Sequence, residues 1–379
     1  MKILSVFGTR PEAVKMAPIV RLLNETKDIE SCVCVTAQHR QMLDQVLQLF
    51  QIKPDYDLDL MRENQTMAQI SAGIFTNLDP ILEKIKPDWI LAVGDTTTVV
   101  TTSLLAFYRR IKFGHVEAGL RTHNKWHPFP EEINRRLATT TADLHFAPTE
   151  WSRNNLLHEN IPAESIVVTG NPVIDALTYV AKQAQPKEIK ELLTKLEIAT
   201  PANRFEGKRL ILVTAHRREN FGQPIENICN ALGELAARDD VQIVYPIHLN
   251  PNVQEPVNRI LKNVPHVTLL PPLDYLPLVH LMKQAVLILT DSGGIQEEAP
   301  AFGIPVLVLR ETTERPEGIE AGILKLVGTE TSAIVREATR LLDDPSAYSD
   351  MAKAVNPYGD GQAARRIIEA LLKTDRKHM

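Results

Sequence analysis

The residues suited to chemistry in this chain cluster near the ends of short apolar runs. In the first half these are Arg10, Asp95, Glu117 and Glu131, and in the second His216, His248, Ser292, Glu298, Arg310 and Arg315. The first set is the richer in carboxylates. Neighbouring carboxylates hold each other's pKa up, which general acid–base work near neutrality requires. The second set contains the histidines and a turn shaped for phosphate. Asp291-Ser292-Gly293-Gly294-Ile295-Gln296-Glu297-Glu298 follows the unbroken run Val286-Leu287-Ile288-Leu289-Thr290, which has the length of a buried parallel strand. This predicts a strand, a tight turn and a helix N-terminus whose unpaired N–H groups suit a phosphate, with Glu298 farther up the same helix. A capping box between Ser292 and a nearby glutamate is the alternative. The division of labour implies an anionic, nucleotide-like group held by the second half, its reacting part turned toward the first.

These residues need a scaffold that brings strand ends together. Lys2–Phe7, Ser31–Ala37, Asp88–Val93, Lys112–Val116, Asp143–Ala147 and Ile166–Thr169 read as strands, with Asp57–Leu60 extended. Helical patterns lie between them: about Pro11 to Asn24, Gln41 to Phe50, Gln65 to Lys84 with a break near Asp79-Pro80, and a helix opened by Pro130-Glu131-Glu132. The Thr96-Thr97-Thr98 run is placed to cap a further helix. The polar loop Thr122–Pro130, with His123, Trp126 and His127, has the character of an active-site loop. A second series follows at Arg209–Thr214, Val241–Tyr245, Val267–Leu270, Val286–Thr290 and Pro305–Leu309. Alternation of strand and helix implies parallel βαβ units with right-handed crossovers. The surface-like stretch Ala181–Gly207 sets a domain boundary near Gly170–Pro186. Two such halves leave a cleft, the default binding site.

Bulk properties narrow the function. A chain of 379 residues exceeds the size at which one core keeps growing, so two domains are expected. A formal charge of -5 gives no basic footprint for nucleic acid. No apolar run is long enough to span a membrane, and Arg10, Glu12 and Lys15 interrupt any signal-peptide core. The three cysteines, Cys32, Cys34 and Cys229, fit a reduced, cytoplasmic setting and form no zinc motif. His123 and His127 have helical spacing, but Pro128 and Pro130 disfavour a helix, so they read as loop histidines and no metal site is expected. Neither Gly8-Thr9-Arg10-Pro11 nor Gly293-Gly294 is a dinucleotide turn, and the lysine-tipped loop of an ATPase is absent. A pre-formed nucleotide-sugar-like ligand fits better than NAD or ATP.

Eight segments in order carry a family resemblance: Gly8-Thr9-Arg10-Pro11-Glu12-Ala13 with Lys15; Gln38-His39-Arg40; Val93-Gly94-Asp95; His115-Val116-Glu117-Ala118-Gly119-Leu120-Arg121; Pro130-Glu131-Glu132 with Asn134-Arg135; Thr214 with His216-Arg217-Arg218-Glu219-Asn220; Asp291-Ser292-Gly293-Gly294 with Gln296-Glu297-Glu298; and Thr312-Thr313-Glu314-Arg315-Pro316-Glu317. Over essentially its full length the chain resembles the bacterial non-hydrolysing UDP-N-acetylglucosamine 2-epimerases. The resemblance implies an α/β, glycosyltransferase-B-like fold, with two Rossmann-like domains whose parallel sheets face a central cleft. Residues 1–172 with a returning helix at 360–379 would form one domain, and 173–359 the UDP-binding one. It further implies a cytoplasmic homodimer, without cofactor, metal, membrane or nucleic acid, that supplies cell-surface polysaccharide synthesis.

The implied reaction is reversible interconversion of UDP-N-acetylglucosamine and UDP-N-acetylmannosamine through elimination of UDP to 2-acetamidoglucal and its re-addition. By resemblance Asp95, Glu117, Glu131 and His216 are the catalytic residues. Asp95 and Glu131 are assigned to proton transfer at C2, and His216 to the diphosphate oxygen. Glu117 orients the sugar or shares the proton work. Arg10, Lys15, Ser292, Gly293, Gly294 and Arg315 would serve the UDP. Glu298 would accept from the ribose hydroxyls, and Tyr275 lies beside uracil or is simply packed. Gln38, Gln41, Arg62 and His248 match parts of a second, activating UDP-N-acetylglucosamine site found in some members. Ala37 departs from the glycine that many members carry before Gln-His, which tightens this loop. A hydrolysing relative, a transferase and a non-catalytic nucleotide-sugar sensor are the competing readings.

Overall fold

The computed structural model describes the chain except residues 38, 39, 61, 63, 64, 199–206 and 377–379, together with the side chains of residues 40, 41 and 376. The chain divides into two compact units, Met1–Ala176 with Tyr358–Met379, and Leu177–Pro357.

The first unit is built on strands β1 (Lys2–Phe7), β2 (Glu30–Val35), β3 (Tyr56–Asp57), β4 (Trp89–Val93), β5 (Lys112–Val116), β6 (Leu144–Ala147) and β7 (Ile166–Val168). They form a parallel sheet in the order β3-β2-β1-β4-β5-β6-β7. β4 is buried along its whole length and β1 beyond its first residue, because helices cover the sheet; this is why they read as continuous apolar runs. Leu4, Val6, Ile90, Ala92 and Phe113 pack with Ile74, Leu78 and Leu82 of a helix at Met67–Ile85 and with Leu105 and Ala106 of one at Thr97–Arg109. Each buried Leu, Ile, Val or Phe side chain among these contributes about 1.5–3 kcal/mol. The second unit has β8 (Arg209–Thr214), β9 (Val241–Pro246), β10 (Val267–Leu270), β11 (Leu287–Thr290), β12 (Val306–Val308) and β13 (Leu324–Leu326), parallel in the order β10-β9-β8-β11-β12-β13. Ile211, Val213, Ile243, Leu287 and Leu289 pack with Ile228, Leu232, Ile334 and Leu341 of its covering helices. Both units are therefore Rossmann-like.

In each sheet the chain order reverses once, between β1 and β4 and between β8 and β11. At such a switch point the two outgoing turns diverge and leave a crevice at the carboxyl ends of the strands, where ligands of open α/β sheets bind. The first turns to consider are therefore those after Phe7, Val93, Thr214 and Thr290.

Three local expectations are corrected. The Met67–Ile85 helix runs unbroken through Pro80. Pro80 and Thr76 are both exposed, so losing the hydrogen bond between them costs least there and the helix continues. The extended segment near residue 57 is only Tyr56–Asp57. Thr96 occupies the N-cap of the Thr97–Arg109 helix but its side chain does not cap it. The final helix, Ala363–Arg376, returns to the first unit and packs on the helix Arg10–Glu25. Asp175 accepts from the backbone N–H groups of Ala363 (3.1 Å) and Ala364 (3.0 Å), fixing where that helix starts.

Candidate active site

At the switch point of the first unit, one carboxylate fastens two turns. The helix Arg10–Glu25 opens with a capping box between Thr9 and Glu12. Glu12 Oε2 accepts from the N–H groups of Gly8 and Thr9, both at 2.7 Å, and Oε1 takes the Thr96 hydroxyl from the turn after β4. That bond is where the expected Thr96 cap went. Burial pushes the Glu12 carboxyl up, and these hydrogen bonds oppose the shift. The turn admits no side chain at Gly8, since a Cβ there would lie 1.9 Å from Thr36 Oγ1. Arg10 is half-buried at the head of the helix.

Asp95 stands next to Thr96 and is gripped by the helix Glu131–Thr141. Asn134 Nδ2 donates to its carbonyl (2.9 Å), and Arg135 Nη2 pairs with its Oδ2 (2.7 Å). Asn134 and Arg135 follow Glu131 by three and four residues, so all three share a helix face. Desolvation pushes the Asp95 carboxyl up; Arg135 and Lys15 oppose this, while Glu117 and Glu131 add to it. The mate of Glu131, the fully buried Glu132, does structural work. It accepts from Thr122 N–H (3.0 Å) and His123 N–H (3.1 Å) and so holds the Thr122–Pro130 loop at the start of its helix.

Glu117 follows β5 with a positive φ of 62°. Its Oε1 accepts from Lys15 Nζ at 2.5 Å and from Asn171 Nδ2 at 2.8 Å. Lys15, read from sequence as a phosphate or ribose contact, pairs with Glu117 in this structure. On β5, His115 donates from Nε2 to the Gly94 carbonyl at 2.7 Å, steadying the turn that carries Asp95. Burial lowers its pKa to about 4, and that of His145, its neighbour across β6, to about 3. Both rings are neutral at pH 7.

At the switch point of the second unit, Ser292 takes the N-cap position of the helix Gly293–Glu298 without a side-chain cap, so no capping box forms. Its N–H donates to Thr290 Oγ1 at 2.9 Å. Arg315 lies against this turn: a Cβ on Gly293 would sit 2.8 Å from its Nη1 and 2.9 Å from its Cζ. Glu297 (2.8 Å) and Glu314 (2.9 Å) hold the guanidinium there. Arg310 donates to Glu219 at 2.5 Å. Tyr275 is buried, and its hydroxyl donates to Glu298 Oε2 at 2.7 Å. Its place is to orient that carboxylate.

His216 follows β8 and stacks on His248, with ring centroids 5.3 Å apart and planes 14° from parallel. His248 Nδ1 accepts from Asn250 N–H at 3.1 Å. The fully buried Asp291 ties the turns after β8 and β11 together. Its Oδ2 accepts from His216 N–H (2.8 Å), Arg217 N–H (2.7 Å) and Asn220 Nδ2 (3.0 Å). Burial lowers the pKa of His216, Asp291 opposes this, and His248 and Arg217 reinforce it.

The structure thus assembles Lys15, Asp95, Glu117 and Glu131 in the first unit, and His216, His248, Ser292, Gly293, Gly294, Tyr275, Glu298 and Arg315 around strand ends in the second. Of the remaining candidates, Gln38 lies outside the described residues, as does the side chain of Gln41. Arg62 is exposed, with Nη1 on the Asp59 carbonyl (2.9 Å). Glu12, Asn134, Arg135, Asn171 and Asp291 were not assigned roles from sequence. Their signal was position: each lies within a few residues of a strand end or a candidate carboxylate.

A family model described as UDP-N-acetylglucosamine 2-epimerase matches residues 21–372. The UDP-N-acetylglucosamine 2-epimerase of Salmonella typhimurium is 58% identical over 373 residues, covering 98% of each chain. Among solved structures, UDP-GlcNAc 2-epimerase from Neisseria meningitidis bound to UDP-GlcNAc is 52% identical, with a TM-score of 0.89, over 98% of this chain and 100% of that one. The S. aureus MnaA–UDP co-structure is 46% identical, with a TM-score of 0.88, over 99% and 97%.

Proposed function

The chain belongs to the UDP-N-acetylglucosamine 2-epimerase family, and from that premise we propose that it interconverts UDP-N-acetylglucosamine and UDP-N-acetylmannosamine by eliminating and re-adding UDP. A base removes the C2 proton, the electron pair forms the C1–C2 double bond of 2-acetamidoglucal, and the C1–O bond breaks with its pair going to UDP. A proton then returns to the other face of C2 as UDP adds back to C1. The C2 proton is weakly acidic, so its removal is coupled to departure of a good leaving group. Cations and N–H donors that take up the growing charge make UDP one.

The observation that carries this reading is the set Asp95, Glu117 and Glu131 gathered with Lys15 and Arg135. Inversion at C2 needs proton transfer on both faces of one carbon. Asp95, raised by burial, and Glu131 are the pair we assign to it. Glu117, fixed by Lys15 and Asn171, orients the sugar. Ser292, Gly293, Gly294, Arg10 and Arg315 receive the diphosphate, and His216 meets its leaving oxygen. Glu298, oriented by Tyr275, accepts from the ribose diol, whose two O–H groups match its two oxygens.

We further infer a homodimer formed through the first unit, which exposes Met67, Phe107, Tyr108, Ile133 and Leu137 on three helices, with Tyr108 stacked on Phe75 at 6.3 Å. Sedimentation giving a monomer at micromolar concentration would overturn it. Among the described residues no helix is long and apolar enough to cross a membrane. Three free cysteines, two of them buried, support a cytoplasmic setting. Activation by a second UDP-N-acetylglucosamine at Gln38, Gln41, Arg62 and His248 would appear as a lag in the reverse reaction that added UDP-N-acetylglucosamine abolishes.

Proton NMR of UDP-N-acetylglucosamine with the protein in deuterated water tests the central proposal. UDP-N-acetylmannosamine carrying deuterium at C2 is the expected product. Free N-acetylmannosamine and UDP in equal amounts would make the protein a hydrolase, and binding without turnover a sensor.

A further inference from the structure

Asp291 has a second oxygen whose purpose its backbone contacts do not explain. Oδ2 takes three donors, yet Oδ1, in a side chain with no solvent exposure, takes none. Leaving a buried carboxylate oxygen without a donor costs more than a typical hydrogen bond contributes. Nearby donors are partly taken up elsewhere: one of the Thr214 and Thr290 hydroxyls donates to the other at 2.6 Å, and Tyr245 donates to the Ala215 carbonyl at 2.6 Å. Facing Oδ1 is His216 Nδ1, at 3.7 Å. That is within ion-pair range, and apo catalytic contacts of this kind tighten when ligand arrives.

We propose that Asp291 is the positioning residue of His216, holding the imidazole with its proton on Nδ1 so that Nε2 is the atom offered to the diphosphate. This rests on the assignment of His216 to the leaving oxygen. With Nδ1–H committed to Asp291, the imidazolium carries its second proton on Nε2. When the C1–O bond breaks and its electron pair passes to the diphosphate oxygen, Nε2–H donates to that oxygen, and on re-addition it withdraws. The Asp291 carboxylate balances the imidazolium charge. Three groups face the ring: Asp291, which favours its protonation, and His248 and Arg217, which disfavour it. The same carboxylate holds the backbone of His216 through Oδ2, so the ring and its main chain are set by one residue at the base of the Ser292–Gly293 turn.

The test is a double-mutant cycle with an NMR readout. D291N keeps an acceptor for the backbone donors but places no charge opposite Nδ1. We expect kcat to fall on the order of 10⁴-fold, as for other buried carboxylates that set a histidine tautomer, with KM little changed. The limb of the pH profile that reports His216 should move to lower pH, since the charge favouring imidazolium is gone. In an H216N background, D291N should cost almost nothing more, because residues acting as a unit are non-additive. A slow H216N to which D291N adds its full factor would overturn the proposal and leave Asp291 a structural tie. An H216N enzyme at wild-type rate would instead sink the assignment of His216 itself. If D291N fails to fold, nitrogen NMR of the histidine-labelled wild type decides: protonated Nδ1 on His216 supports the proposal, and a bare Nδ1 refutes it.

Discussion

The two switch points use the same device in different ways. In each, a buried carboxylate collects backbone N–H groups from the head of one turn and fastens a second turn. Glu12 spends both oxygens doing so, on Gly8, Thr9 and Thr96. Asp291 spends one, on His216, Arg217 and Asn220, and keeps the other facing an imidazole. The first is a clamp; the second is a clamp with a free hand. The chemistry beside them differs to match. The first unit sets three carboxylates against two cations, an arrangement for moving protons. The second sets open backbone and a guanidinium against a turn, an arrangement for holding an anion.

The sharpest test of that contrast compares one residue from each unit. D95N should lower kcat by about 10³-fold while UDP affinity stays near wild type, because a proton-transfer group is lost. G293A should do the reverse, weakening UDP binding by roughly tenfold as its methyl displaces the Arg315 guanidinium, with turnover at saturation largely kept. Kinetics and UDP titration of the two variants would break the contrast if both failed in the same parameter.

The next largest effect is on acid stability, and it belongs to the first unit. His115 has a folded pKa of about 4 against an ordinary 6.5. The unfolded chain therefore binds more protons across that window. Stability from this residue is present at pH 7 and lost as pH falls from 6.5 toward 4, by roughly 3 kcal/mol. Urea titrations at pH 7 and pH 4.5 measure it, and His145→Phe should reduce the slope, since His145 titrates in the same direction. Smaller again is E12Q, expected to cost about 1 kcal/mol of stability as a neutral amide oxygen replaces the charged acceptor of the Gly8 and Thr9 N–H groups and the Thr96 hydroxyl turns to accept, with kcat close to wild type. A large kcat loss in a fully folded E12Q would make Glu12 the functional twin of Asp291. The smallest concerns Ala37, which sits after β2 with φ of 52°. Ala37→Gly should leave stability within about 0.5 kcal/mol, because the left-handed penalty relieved is offset by the entropy glycine adds to the unfolded chain and by the loss of a fully buried methyl, read as a nearly unchanged melting temperature.

What was legible in the sequence was what depends on pattern along the chain. Runs such as Trp89–Val93 and Val286–Thr290 announced buried strands, and the strands announced the ends at which Asp95 and Ser292 stand. β13 escaped because Lys325 interrupts its apolar run, and Pro80 misled because local propensity says nothing about which face of a helix meets water. The contacts that define the site were less legible. Glu12 to Thr96 spans 84 positions and Asp291 to His216 spans 75. Sheet order, not spacing, makes those residues neighbours. Lys15 likewise reads as a cation at a helix head until β5 brings Glu117 beside it, and Tyr275 as an aromatic of open purpose until Glu298 takes its hydroxyl.

The chain leaves the first unit near Ala176 and re-enters it at Tyr358, where Tyr358 O accepts from Asn171 N–H at 2.7 Å. The consequence is one of timing during synthesis. The second unit is a single uninterrupted stretch and has all its strands once residue 357 is made. The first unit has its seven strands far earlier, yet the helix that covers the Arg10–Glu25 helix and seats on Asp175 is translated last. The unit begun first is thus finished last, so a messenger truncated after codon 357 would yield a complete second unit joined to an open first one.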